Sequence, residues 1–153
     1  MNSMAGPAFC AATARKAPMS SAAEALPRGG APRVLVIEAE ASLRELLGEW
    51  LAECGCAPQL VPSPGLAAGS RFDLVVVDVP FPRQGGCGLL RQVTREQPDT
   101  PVMVLSPTFF GSVACAGALA QAMRVSRVLP KPLTRDTLVG AVRQILPASF
   151  AAQ

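Results

Sequence analysis

Short apolar runs alternate with amphipathic helical patterns from residue 33 onward. The runs at 34–37, 74–77 and 101–105 are rich in β-branched residues and carry no charge, which is typical of strands buried on both faces of a parallel sheet. Two shorter runs, 59–61 and 127–129, are further strand candidates. The pattern therefore predicts five strands.

Four stretches between or after these runs have the features of helices. Apolar residues recur on one helical face within 43–51, 89–93 and 138–145, and residues 109–123 form an uncharged Ala- and Gly-rich stretch. Ser42 and Glu45 have the spacing of a capping box, and Thr134 is placed to cap the last helix. Strands alternating with helices predict an α/β, flavodoxin-like doubly wound fold with a five-stranded parallel sheet in the order 2-1-3-4-5.

The chain divides by composition into three parts. Residues 1–32 are rich in Ala, Ser, Pro and Gly and show no periodicity, so we expect a flexible tail. Residues 33–147 form the predicted domain, and 148–153 form a short C-terminal tail. The uncharged stretch 100–123 is long enough for a bilayer span, but Ser106-Pro107-Thr108 divides it, which favours a strand followed by a helix.

Composition removes several classes of function. The 153 residues carry a net charge of +3 without a basic run, so nucleic acid is not an expected partner. Histidine is absent from the sequence, which excludes histidine-ligated zinc and histidine-based triads. Cys54-Gly55-Cys56 has the form of a soft-metal chelate but lacks a second pair, and reduced thiols that pack as small apolar groups are the simpler interpretation.

Polar residues stand where the predicted strands end. Glu38 ends the first strand with Glu40 close behind, Asp78 ends the third, Ser106 ends the fourth, and the fifth leads into Lys131. The carboxyl ends of parallel strands share one edge of a sheet, and ligands bind there in doubly wound folds. Two carboxylates suit Mg²⁺, while an ammonium and a hydroxyl suit a phosphoryl group.

The sequence lacks the phosphate-binding loops of nucleotide hydrolases and flavin-binding proteins. The glycines at 85–88 lack the lysine of a nucleotide-binding loop, which argues against a nucleotide hydrolase. A flavin-binding protein of the same fold would also need a phosphate loop and stacking aromatics.

Four fragments in order resemble a response-regulator receiver domain of the CheY-like family. They are 34–40 (VLVIEAE), 73–78 (DLVVVD) followed by Pro82 and Gly86, 104–106 (VLS) and 129–133 (LPKPL). The resemblance extends from Arg33 to about Leu146. It implies a cytoplasmic signalling protein of a two-component phosphorelay, not a conventional enzyme.

The resemblance also implies a role for each site residue. Asp78 would accept a phosphoryl group from a phosphohistidine on a sensor histidine kinase or histidine phosphotransferase. Lys131 and Ser106 would assist, and the Lys131–Pro132 bond would be cis. Mg²⁺ would be held by Glu38, Asp78 and the backbone carbonyl of Pro80, with Glu40 as an additional candidate. The face of helix 109–123 would serve a homodimer or an output partner, and no membrane or nucleic-acid partner is expected.

Several positions depart from the family pattern. Ala39 stands where a metal-binding aspartate is expected, Pro107 follows the hydroxyl, and Val128 replaces an aromatic residue. The segment between Gly55 and Phe72 is about one helical turn (~4 residues) short, so the second helix is expected to be shortened. The alternative function is a degenerate pseudo-receiver, which binds proteins without being phosphorylated.

Overall fold

The computed structural model describes residues 29–79, 87–107 and 125–150, and all structural statements concern these residues. Five parallel strands form one sheet in the order β2-β1-β3-β4-β5. They are β1 (Arg33–Ile37), β2 (Ala57–Val61), β3 (Leu74–Asp78), β4 (Val102–Ser106) and β5 (Val125–Pro130). The order predicted from the sequence is confirmed.

The sheet has an apolar core on each of its faces. The central strands β1, β3 and β4 are buried almost throughout, as the uncharged runs within them require. Because side chains alternate between faces, Val36 and Val76 join one cluster while Ile37 and Val77 join the other. Helices cover both clusters, which explains why the strands carry no polar face.

Helix α1 (Ala41–Glu53) packs on the first face through Leu47 and Leu51. It begins two residues earlier than the expected capping box: Glu40 is the N-cap in place of Ser42, and its side chain makes no capping hydrogen bond. The prediction of Ser42 as the cap was therefore wrong. The helix ends as the glycine predicts: Gly55 has φ of 92°, and the Cys56 N–H donates to the Leu51 carbonyl at 3.0 Å.

Two further helices frame the sheet. Helix α2 (Cys87–Glu96) covers the second face through Val93. Helix α3 (Arg135–Ile145) packs beside α1, and its predicted cap is confirmed because the Thr134 hydroxyl accepts the N–H of Thr137. A single turn, α4 (Pro147–Phe150), follows it.

The helix that was expected in shortened form between β2 and β3 does not form in this described stretch. Residues 62–70 form turns and no helix, with positive φ at Gly65 and Gly69. The backbone N–H of Gly65 donates to Glu96 at the end of α2 at 3.0 Å. Ala67 and Phe72 fill the space over the second face, so a short segment covers it.

Some expectations concern residues outside the described ranges. These are the tail up to residue 28, the helix proposed at 109–123 and the side chain of Cys115. Among the helices of the described ranges, none has the length and apolar character to cross a bilayer.

Candidate functional site

The sequence-predicted polar residues lie at the carboxyl edge of the sheet. Asp78 is the last residue of β3, and Glu38 directly follows β1, the strand that pairs with β3. Glu38 and Asp78 each lie two residues beyond a valine of the first face, so alternation aims both toward α1 and α3. Lys131 follows β5, and its N–H donates to the Ser106 carbonyl at 2.8 Å.

An ammonium group joins the two carboxylates. Lys131 Nζ lies 2.6 Å from Asp78 Oδ1 and 3.4 Å from Glu38 Oε2. The side chains are mostly buried, with exposed fractions of 22% for Lys131, 11% for Asp78 and 4% for Glu38. The structure thus brings together three of the four residues expected at strand ends.

The surroundings of Lys131 act on its pKa in opposite directions. Burial alone would lower the pKa of the ammonium, but Asp78 and Glu38 together outweigh burial. The pKa of Lys131 is therefore raised above its ordinary 10.5, and the side chain is cationic at neutral pH. Two carboxylates against one ammonium leave the trio with one excess negative charge, which favours an additional cation.

Glu38 is fixed by its own loop. Its Oε1 accepts the N–H of Glu40 at 3.0 Å, while Oε2 faces Lys131. Ala39 and Glu40, which lie between Glu38 and α1, are both exposed. The Glu40 backbone thus contributes to the site by orienting Glu38.

Arg44 is a contributor that sequence reasoning missed. Its Nη1 donates to the carbonyls of Glu38 at 2.8 Å and Ala39 at 3.2 Å. A cation in the first turn of a helix opposes the helix dipole, so its position was itself a signal of a local partner. The contact ties α1 to the loop that carries Glu38.

Ser106 joins the site through its backbone alone. Its hydroxyl is fully buried and has no hydrogen-bond partner, so it contacts neither Asp78 nor Lys131 as a donor. Asp78 Oδ1 is also buried, and its partner is the Lys131 ammonium at 2.6 Å. A buried hydroxyl without a partner at this edge is free to bond a further polar group.

The positions that depart from the family are only partly described. Pro107 is exposed, and Val128 is half-buried against the second core cluster. Pro80, expected to offer a backbone carbonyl to a metal, lies outside the described residues. The expected cis bond between Lys131 and Pro132 is present.

The site has one carboxylate fewer than the family pattern, and the remaining donors fit a hard divalent cation. Mg²⁺ in proteins commonly uses one or two carboxylates and completes its shell with water and phosphate oxygens. Glu38 and Asp78 supply that number, and the trio has an excess negative charge. In the described part of the chain no group of three or more potential metal-ligating side chains occurs, consistent with the absence of a carboxylate at Ala39.

A model of the response regulator receiver domain family matches residues 34–143. The response regulator MprA of Mycobacterium sp. (strain KMS) is 33% identical over 118 residues, covering 74% of this chain and 50% of the relative. MprA of Mycobacterium avium (strain 104) is 31% identical with the same coverage. The chain thus spans about half the length of these curated relatives.

Solved structures show the same fold. A response regulator from Thermotoga maritima superposes with a TM-score of 0.65 at 23% identity, covering 76% of this chain and 98% of its own. The chemotaxis response regulator CheY4 of Vibrio cholerae gives a TM-score of 0.62 at 20% identity, covering 76% and 99%. At these identities the likeness concerns the fold.

Proposed function

This chain belongs to the response regulator receiver domain family, and we propose that it accepts a phosphoryl group on the carboxylate of Asp78. The observation that carries the proposal is the ion pair of 2.6 Å between Asp78 and Lys131 at the carboxyl edge of the sheet. Response regulators of two-component systems are signalling proteins, so the chain is a phosphoacceptor and not a conventional enzyme.

In the proposed reaction an Asp78 oxygen attacks phosphorus in line. An O–P bond forms, the P–N bond of the donor phosphohistidine breaks, and the imidazole leaves with the bonding electrons. Lys131, whose ammonium lies 2.6 Å from the attacking carboxylate, would offset the negative charge of the phosphoryl oxygens. We assign the buried Ser106 hydroxyl, which has no hydrogen-bond partner, as the donor to the phosphorylated state.

Mg²⁺ is the proposed cofactor. Glu38 and Asp78 would hold it, with the Pro80 carbonyl and Glu40 as further candidates. When bound, the ion would neutralise charge on the phosphoryl oxygens. Glu38 is already oriented by the Glu40 N–H, which reduces the cost of arranging it.

The proposed partners follow from this chemistry. A sensor histidine kinase or a histidine phosphotransferase would supply the phosphoryl group in the cytoplasm. An output partner or a second copy would use the 109–123 segment, which lies outside the described residues.

The alternative is a pseudo-receiver that signals without phosphorylation. Ala39 favours it because the site has one carboxylate fewer than the family pattern. The Asp78–Lys131 ion pair, Glu38 and Ser106 favour the phosphoacceptor, since together they retain acceptor, cation and hydroxyl.

Incubation with acetyl phosphate and Mg²⁺, followed by intact-mass measurement, tests the proposal. We expect the wild-type chain to gain the mass of one phosphoryl group and Asp78→Asn to gain none. Equal labelling of both proteins would refute Asp78 as the acceptor, and no labelling of either would favour the pseudo-receiver.

A further inference from the structure

Two thiols meet where α1 ends and β2 begins. Cys54 and Cys56 are both free and buried, each with 7% of its surface exposed, and their Sγ atoms are 3.7 Å apart. The Cys54 thiol donates to the Leu51 carbonyl at 3.2 Å. Because Cys54 has one proton to donate, Cys56 is the donor in the contact between the two sulfurs.

The positive φ of Gly55 produces this pairing. At φ of 92° the glycine reverses the chain after α1, and both flanking side chains enter the first core cluster. With one residue between them, the two Cα atoms are at most about 7 Å apart. That separation lies near the range that a disulfide spans, and the sulfurs already touch.

We propose that Cys54 and Cys56 form a dithiol that hydrogen peroxide oxidises to an intramolecular disulfide. This modification is separate from phosphoryl transfer, because neither cysteine contacts the Lys131 trio in the described structure. Burial selects a small oxidant, since a bulky disulfide reagent would have to displace core side chains to reach the sulfurs.

The environment also sets the order of the two steps. Burial, with Cys54 as the next cause, raises the pKa of Cys56 to about 12, so Cys56 stays protonated at neutral pH. We assign Cys54 as the sulfur that attacks a peroxide oxygen, because the Cys56 thiol donates to it. Its S–H bond loses a proton, an S–O bond forms, the O–O bond breaks, and the departing hydroxide takes the proton to become water.

Cys56 completes the reaction as the resolving thiol. Its sulfur attacks the Cys54 sulfenic acid, an S–S bond forms, and the S–O bond breaks. The hydroxyl group leaves as water with the Cys56 proton. In total, two thiols lose two electrons and two protons to one peroxide, which gives two waters.

A metal site is the weaker use of the same motif. No third metal-ligating side chain completes a cluster with these thiols among the residues that the structure describes. A disulfide needs only the two sulfurs. Its ring closes over a single residue, so it restricts the unfolded chain little, and dithiothreitol is expected to reduce it.

The test uses the folded chain with Cys10, Cys87 and Cys115 changed to serine. We expect hydrogen peroxide to remove both alkylatable thiols and to lower the intact mass by two hydrogen atoms, reversibly with dithiothreitol. Trp50 fluorescence verifies that the protein remains folded during the reaction. Should the triple variant not fold, peptide mapping of the oxidised wild-type chain locates the same cross-link.

Single variants distinguish a resolving pair from two independent cysteines. Cys56→Ser should convert Cys54 to sulfenic and sulfinic acid instead of a disulfide, while Cys54→Ser should react more slowly than Cys56→Ser. The proposal would be overturned if both thiols stayed free in the native chain at a peroxide concentration that oxidises the urea-unfolded chain. Accumulation of sulfinic acid in place of the cross-link in the pair would also overturn it.

Discussion

The ammonium of Lys131 lies 2.6 Å from Oδ1 of Asp78, although β4 separates the strands that carry the two residues. The long lysine side chain spans the end of β4 and also lies 3.4 Å from Glu38. One cation therefore offsets two carboxylates that would otherwise repel each other.

Removal of the cation should destabilise the fold. We expect Lys131→Met to lower the free energy of unfolding by about 1–3 kcal/mol, below the cost for a fully buried pair because water reaches the lysine. Urea unfolding followed by Trp50 fluorescence measures the change. The double variant with Asp78→Asn should be more stable than Lys131→Met alone, because the repulsion with Glu38 is removed. Equal or lower stability of the double variant would contradict the ion-pair account.

Stability should fall at alkaline pH. The pKa of Cys56 is raised from 9.0 to about 12, and that of Lys131 is raised above 10.5. For a raised pKa the stabilising contribution is complete below the unfolded value and is lost as the pH rises through the folded value. The urea midpoint should therefore be level below pH 9.0 and fall above it.

A matched variant separates the two groups. The sequence has no tyrosine and only two lysines, Lys16 and Lys131, so besides the cysteines few side chains titrate in this window. In Cys56→Ala the part of the decline that begins near pH 9.0 should be reduced, while the decline above 10.5 persists. An unchanged profile would show that the Cys56 thiol does not contribute.

A carboxylate at position 39 should strengthen metal binding. Ala39 is exposed beside Glu38, so an aspartate side chain has room there. We expect Ala39→Asp to tighten Mg²⁺ binding about tenfold, or ~1.4 kcal/mol, measured by calorimetry. Ala39→Asn controls for size without the charge. Equal affinities for all three proteins would mean that residue 39 does not reach the ion.

Sequence patterns were sufficient for the sheet because its central strands contain uncharged runs bounded by polar residues. Val34 to Ile37 and Leu74 to Val77 are buried on both faces, so their runs identified strands directly. The clustering of Glu38, Asp78 and Lys131 followed from the same rule, since parallel strands end at one edge. The roles of these residues in phosphoryl transfer stay predictions.

Other features depended on contacts that spacing does not encode. The N-terminus of α1 was misplaced because Glu38 and Arg44, not Ser42, fix the loop before it. The unpaired state of the Ser106 hydroxyl depends on side-chain direction at a strand end. The meeting of Cys54 and Cys56 depends on the positive φ of the glycine between them.

The Arg44 contact gives a further test of the loop. Arg44→Gln should lower the free energy of unfolding by about 1–2 kcal/mol, since two carbonyls lose a charged donor. It should also slow labelling by acetyl phosphate, because Glu38 loses part of its support. Arg91→Gln, at an exposed position of α2, should change stability by less than about 0.5 kcal/mol. Equal effects of the two variants would contradict a specific role for Arg44.

Direct location of the phosphoryl group tests the central claim. After reaction with acetyl phosphate and Mg²⁺, borohydride reduces an aspartyl phosphate to homoserine, and peptide sequencing by mass spectrometry identifies the converted residue. The account predicts conversion at residue 78 alone, and less of it in Lys131→Ala. Conversion at Glu38 or another carboxylate, or none in the folded wild-type chain, would contradict it.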